Sequence, residues 1–137
     1  MDKKLLLGVI CVFVSAEILN YLIMGLLLGP AMMSLQNVWR PDMMSLMWIF
    51  HVTMLIGSFF FVLIFSRGYQ GKGIAEGVRY GLYIGIWMSL GMAYATYAMI
   101  AIPVSLAHEW FILGVVDYII QGIVVAWIYG RSAGAAA

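Results

Sequence analysis

Charge is what this sequence has least of. Charged side chains fill 9% of its 137 positions, and seven basic against six acidic residues leave a net charge of +1. No basic cluster or tail is present, which excludes the dense Lys/Arg array that nucleic acid binding requires. Cysteine is represented once, so no internal disulfide can form, and Cys11 sits in an apolar run where it reads as a small hydrophobe. Proline occurs three times, at Pro30, Pro41 and Pro103, each between apolar stretches. The two histidines, His51 and His108, leave little material for a metal centre.

What remains is overwhelmingly apolar. Hydrophobic residues make up 65% of the chain and the mean hydropathy is +1.03. Soluble domains average ~45–50% apolar and ~25% charged residues. Folded in water, this chain would expose far too much apolar surface, a problem that the hydrocarbon core of a bilayer removes. A spanning helix needs about 20 apolar residues. Four runs of that order stand out, at residues 5–28, 43–65, 74–101 and 107–129. They predict an all-α, antiparallel four-helix transmembrane bundle in one domain, residues 1–131, with 132–137 a short tail. Met1 to Val14 has the outline of a signal peptide, with Val14-Ser15-Ala16 in the place of a cleavage site. Apolar residues resume at Ile18, however, and the total length favours a retained first span.

Breakers separate the runs. Gly29-Pro30 is expected to end the first. Asp42 is placed to cap the second, and Ser105 the fourth. Gly68, Gly71 and Gly73 predict a tight turn between the second and third runs. Lys3, Lys4, Arg67, Lys72, Arg79 and Arg131 fall on one side of this scheme, whereas Arg40 alone falls on the other. Basic residues are retained in the cytoplasm, so both termini are expected there. Trp39, Trp48 and Trp110 then mark the outer interface, and Tyr69, Tyr80, Trp127 and Tyr129 the inner one. Residues 31–39 are too short to span and predict a short amphipathic turn along the outer interface.

Small residues recur every fourth position in the third run, at Gly77, Gly81, Gly85, Ser89 and Ala93. The fourth run answers with Gly114, Gly122, Ala126 and Gly130, interrupted by Tyr118. Such faces let helix backbones approach closely in lipid. A helix–helix contact, within one chain or between copies of a homo-oligomer, explains them more simply than a sliding or pore-lining face.

Three ionisable residues fall deep in the runs: Glu17, His51 and Asp117. Their depths from the outer boundary are roughly 17, 12 and 15 Å at the helical rise per residue. Asn20 shares a face with Glu17, and Gln121 lies one turn from Asp117. Groups at one level on three helices can converge, so Glu17, Asn20, His51, Asp117 and Gln121 form the candidate binding cluster. Two uses are open. The carboxylates could exchange a proton or cation in a small transporter or conducting unit. Alternatively, the cluster could hold helices together in an accessory subunit of a larger membrane complex.

Catalytic readings are weaker, and no enzyme activity is expected. His108-Glu109 lacks the second histidine of H-E-x-x-H because Ile112 stands there. Ser15, Ser58, Ser89 and Thr96 have no adjacent base. Glu76 and Arg79 are expected to pair with each other. Met43, Met47, His51 and Met54 form a stripe that could suit Cu(I), but methionine fills gaps in apolar surroundings just as readily. Haem would need His108 to reach inward beside His51. No cofactor or metal is therefore expected.

Trp39-Arg40-Pro41-Asp42-Met43, the stretch from Arg67 to Gly73 and the stretch from Glu76 to Gly81 carry a resemblance over nearly the whole chain. The chain resembles a group of small, uncharacterised bacterial four-span integral membrane proteins. The resemblance implies a multi-pass protein of the bacterial inner membrane and carries over no site residue. Four spans with an acid in the first helix are also similar to small multidrug transporters, but those are shorter and their loop and fourth-helix patterns differ. No residue carries over from them either.

Overall fold

The computed structural model describes residues 2–134, and among them it is all-helical, with no strand. Helix α1 (Lys3–Asn20) opens under an N-cap from Asp2, whose carboxylate accepts a hydrogen bond from the Lys4 amide at 3.4 Å. It continues as a π-helical segment, Tyr21–Leu27, which closes with the Leu28 amide donating to the Ile23 carbonyl. A short helix α2 (Gly29–Ser34) follows. A 3₁₀ turn (Met43–Leu46) leads into α3 (Met47–Gly68), and α4 (Ile74–Met99) and α5 (Val104–Gly134) complete the chain.

Among the described residues three segments are long and apolar enough to cross a membrane: Lys3–Leu27, Met43–Gly68 and Val104–Arg131. That supports a membrane protein with transmembrane helices. Helix α4 has the length, but Glu76, Arg79, four tyrosines and its glycines dilute its apolar character, and it is not among the three.

The first long helix stops at Leu27, just before Gly29-Pro30, and Pro30 stands in the first turn of α2, where its missing N–H is no loss. Several other local expectations are corrected. Gly68 belongs to α3, so the tight turn rests on Gly71 and Gly73, both with positive φ (76° and 71°), a region that glycine enters without steric cost. Asp42 precedes the 3₁₀ turn but its side chain caps nothing. Its two carboxylate oxygens instead accept from Arg40 Nε and Nη2, each at 3.0 Å. Ser105 lies inside α5, which starts at Val104. Helix α5 also runs past the expected end of the fourth span, so residues 132–134 are helical, while the rest of the expected tail, 135–137, lies outside the described residues.

The helices pack in the order α3, α1, α5, α4. Gly8 of α1 lies against Val62 of α3 and Tyr129 of α5, and Glu17 against His51, so α1 runs opposite to α3. Gly77 meets Gly122, and Gly85 meets Val115, so α4 runs opposite to α5. Helix α3 meets α4 where the Tyr80 hydroxyl donates to the Phe61 carbonyl at 2.7 Å and its ring lies 4.7 Å from that of Phe61. Two apolar cores result. One joins Val9, Val12, Phe61, Val62, Phe65, Val125 and Tyr129 near the N-terminus of α1. The other joins Leu28, Ala93, Ile102, Leu106 and Trp110 at the opposite end. Between them lie Asp117 and Gln121 of α5.

Candidate functional site

The small-residue faces place this middle layer. Gly77, Gly81 and Gly85 lie against the α5 backbone at Gly122, Tyr118–Ile119 and Val115, and a Cβ on Gly81 would come within 2.7 Å of Ile119 Cα. Gly114 sits against Ser89, which is buried. The two faces are therefore used on each other within one chain. Close approach of α4 fixes the rotation of α5, and that rotation turns Asp117, Tyr118 and Gln121 toward α3 and α1.

The five residues of the expected cluster do not converge on one point. They divide into two pairs and a bystander. His51 Nδ1 lies 2.8 Å from Glu17 Oε1, joining α3 to α1. Gln121 Nε2 donates to Asp117 Oδ2 at 2.9 Å, within α5. Asn20, at the junction of the α-helical and π-helical parts of the first span, lines a cavity with Asp117. The pairs differ in surroundings. Gln121 is buried, and Asp117 Oδ1 is buried with no hydrogen-bond partner among the described residues. By contrast, the side chains of His51 and Glu17 are 51% and 24% exposed.

Three cavities lie in series along the gap that α3 and α4 leave between them. The largest, about 350 Å³, lies between Gly57, Ser58 and Phe60 of α3 and Ile84 and Trp87 of α4, with Asp117 and Gln121 in its wall. Toward the α2 end it adjoins a second, about 200 Å³, that reaches Asn20, Ser89 and Trp110. Met54, Met88, Asp117 and Tyr118 line both. Toward the Gly71–Gly73 turn it adjoins a third, about 210 Å³, walled by Glu76, Arg79 and Tyr83, with Ile64 and Tyr80 shared between the two. Asp117 thus stands at the junction of the largest cavity and the α2-end one. Trp110 Nε1, in the α2-end cavity wall, is a second buried polar atom without a partner among the described residues.

Such an arrangement has a definite chemistry. A carboxylate is expensive in an apolar layer unless something neutralises it. Gln121 satisfies one oxygen, and the other is open to a proton or a cation. The sequence offered the acid and its amide partner. It did not reveal Tyr80, Ser58, Tyr118 or Met88 as lining residues, because that depends on where α3 and α4 separate. Tyr118 did leave a trace, since it interrupts the small-residue register of α5.

The remaining candidates find ordinary partners. His108 Nδ1 lies 2.8 Å from the Tyr94 hydroxyl, at the α2 end. Glu76 does not need Arg79. Its carboxylate accepts from the Gln70 amide at 2.6 Å and the Lys72 amide at 2.9 Å, closing the turn before its own helix. No group of three or more His, Cys, Asp or Glu side chains suited to a metal occurs among the described residues. Comparison with family models, curated proteins and solved structures gives no match to this chain. The functional reading therefore rests on the geometry.

Proposed function

We propose that the protein is a four-span, antiparallel helix bundle of the bacterial inner membrane, with both termini in the cytoplasm, that moves protons or small cations through the bilayer. The supporting observation is the series of three cavities that meets Asp117 near the middle of α5. Along α5, Asp117 lies roughly 20 Å from Val104 and roughly 21 Å from Arg131. Membrane helices rarely carry an acid at such depth without a role in an ion or proton path. The opposite packing senses of α1 with α3 and of α4 with α5 suit an up-and-down bundle, and the basic residues at the turn end suit a cytoplasmic location for that end.

Asp117 is the exchanging group in this reading, and Gln121 holds it in place. Reconstitution into liposomes with a pH-sensitive dye inside, under an imposed potassium diffusion potential, tests it. The wild-type chain should pass protons faster than empty liposomes. Asp117→Asn keeps a partner for Gln121 but cannot exchange a proton, so flux should fall on the order of tenfold or more while the variant still folds. Equal flux in the two would remove Asp117 from the path. No proton or alkali-cation flux from the wild type would remove the conducting reading.

A second reading is favoured by one observation, the half-exposed His51 beside Glu17 on the outside of the helices. In an accessory subunit, that polar spot would dock a helix of a larger membrane complex. Gentle extraction followed by native mass spectrometry separates the two, because only the accessory reading requires stoichiometric foreign subunits.

A further inference from the structure

Glu17 and His51 form a polar spot on a face that is otherwise apolar. One turn to either side on α1 lie Val14 and Tyr21, 48% and 68% exposed, and on α3 Trp48 and Leu55, 63% and 45% exposed. Along its helix, Glu17 lies roughly 21 Å from Lys3 and roughly 15 Å from Leu27, so in the four-span arrangement it faces hydrocarbon. Apolar neighbours are at home there, whereas an ionisable pair is not. The small-residue faces of α4 and α5 cannot be what a partner covers, because they already cover each other.

We infer that this face is covered by a second copy of the same chain, joined through a reciprocal pair of Glu17–His51 contacts. The inference rests on the membrane reading above. The remaining valences of the pair identify the occupant. His51 uses Nδ1 on Glu17 Oε1. Whichever partner holds the shared proton, His51 keeps a second donor at Nε2–H and Glu17 keeps an acceptor at Oε2. One surplus donor beside one surplus acceptor is self-complementary under a two-fold axis. His51 Nε2–H of each copy donates to Glu17 of the other, as an isologous interface requires. Two histidines and two glutamates then form a neutral four-membered cluster, shielded from lipid by Val14, Tyr21, Trp48 and Leu55 of both copies. Hydrogen bonds between membrane helices serve this purpose where apolar packing gives little drive.

Charge-swap complementation tests the seam. Glu17→His gives a copy with two imidazoles on this face, and His51→Glu a copy with two carboxylates. Neither can form the cluster with itself. Together they restore both contacts across the seam, although neither restores the contact within its own chain. Differently tagged copies are expressed singly and together, extracted into nanodiscs, and assayed by pull-down and by cross-linking of Val14→Cys in a Cys11→Ala background, with Ile112→Cys on α5 as the distant control. The wild type should dimerise and cross-link at position 14 and not at 112. Each single variant should lose dimer affinity on the order of tenfold, and co-expression should return a one-to-one heterodimer. Failure of the co-expressed pair to associate, with both variants retaining wild-type helicity, overturns the seam, and so does undiminished self-association of either variant. Carbonate washing keeps the premise separate. If the wild type is washed off the membrane, the membrane reading fails. If it stays and is monomeric, only the seam fails.

Discussion

At the scale of single residues, the acids separate by what their carboxylates hold. Glu76 is buried and binds two backbone amides of the turn that precedes its own helix. Charge-assisted bonds to buried amides are stronger than neutral ones. Glu76→Gln keeps an oxygen for one amide but places an N–H against the other, and should lower stability by about 1–3 kcal/mol. Arg79→Ala, which leaves both bonds intact, should cost far less. Thermal unfolding of the two variants in one detergent decides between this account and a Glu76–Arg79 pair. Asp42 is the opposite case, fully exposed, with the Arg40 guanidinium beside it holding its carboxyl below the usual carboxylate range. A depressed acid contributes its interaction above the ordinary range and loses it as pH falls through the folded value. Carbon-detected NMR should therefore show Asp42 titrating below an ordinary aspartate, and Arg40→Gln should return it to that range. Global stability should scarcely respond, since solvent screens an exposed pair. The sequence showed which of these residues are acidic and roughly how deep they lie. It could not show that Glu76 turns back to Gln70 and Lys72, or that Glu17 chooses His51 while Asp117 chooses Gln121, because depth along a helix says nothing about rotation around it.

At the scale of helices, composition was a better guide. Run lengths and breakers predicted the long helices to within a few residues, and the four-residue spacing of small side chains marked the faces that α4 and α5 share. The π-helical end of the first span left no comparable sign in the apolar stretch from Tyr21 to Leu27. Glycines within a single helix now divide by what lies opposite them. Gly81 lies against Tyr118 and Ile119 of α5, whereas an added methyl at Gly91 would meet nothing within 4 Å. Gly81→Ala must push α4 and α5 apart and should cost about 1–3 kcal/mol, as overpacking does. Gly91→Ala should instead be neutral or stabilise by up to about 1 kcal/mol, through helix propensity and a less flexible unfolded chain. Both are readable from reversible unfolding in mixed micelles. Equal effects at the two sites would mean that α4 and α5 are not packed as the structure has them.

For the whole molecule, the unequal apolarity of the helices sets a condition on insertion. Among the described residues three segments are long and apolar enough to cross a membrane, and α4 is not one of them. Its Gly77, Gly81 and Gly85 are buried against α5, its Glu76 is closed in the adjoining turn, and its tyrosines at positions 80 and 94 bond to Phe61 and His108. Much of what makes α4 a poor span by itself is thus satisfied by its neighbours. On the four-span reading proposed above, α4 is expected to enter as one hairpin with α5, with close packing offsetting its weak partition into lipid. Breaking that packing should change topology as well as stability. Gly81→Leu would place a branched side chain where the α5 backbone runs, so some chains should leave α4 on the cytoplasmic side. In those chains α5 is the next segment able to cross, and it would cross in the reverse direction. A topology reporter fused after α5 should then move from wholly cytoplasmic in the wild type to a mixture of both sides in Gly81→Leu, while Gly91→Leu, which meets open space, should stay wholly cytoplasmic. A reporter that remains inside in both variants would show that α4 inserts unaided, and the apolar content of its central turns would then have to carry more of the insertion energy than its tyrosines and glycines suggest.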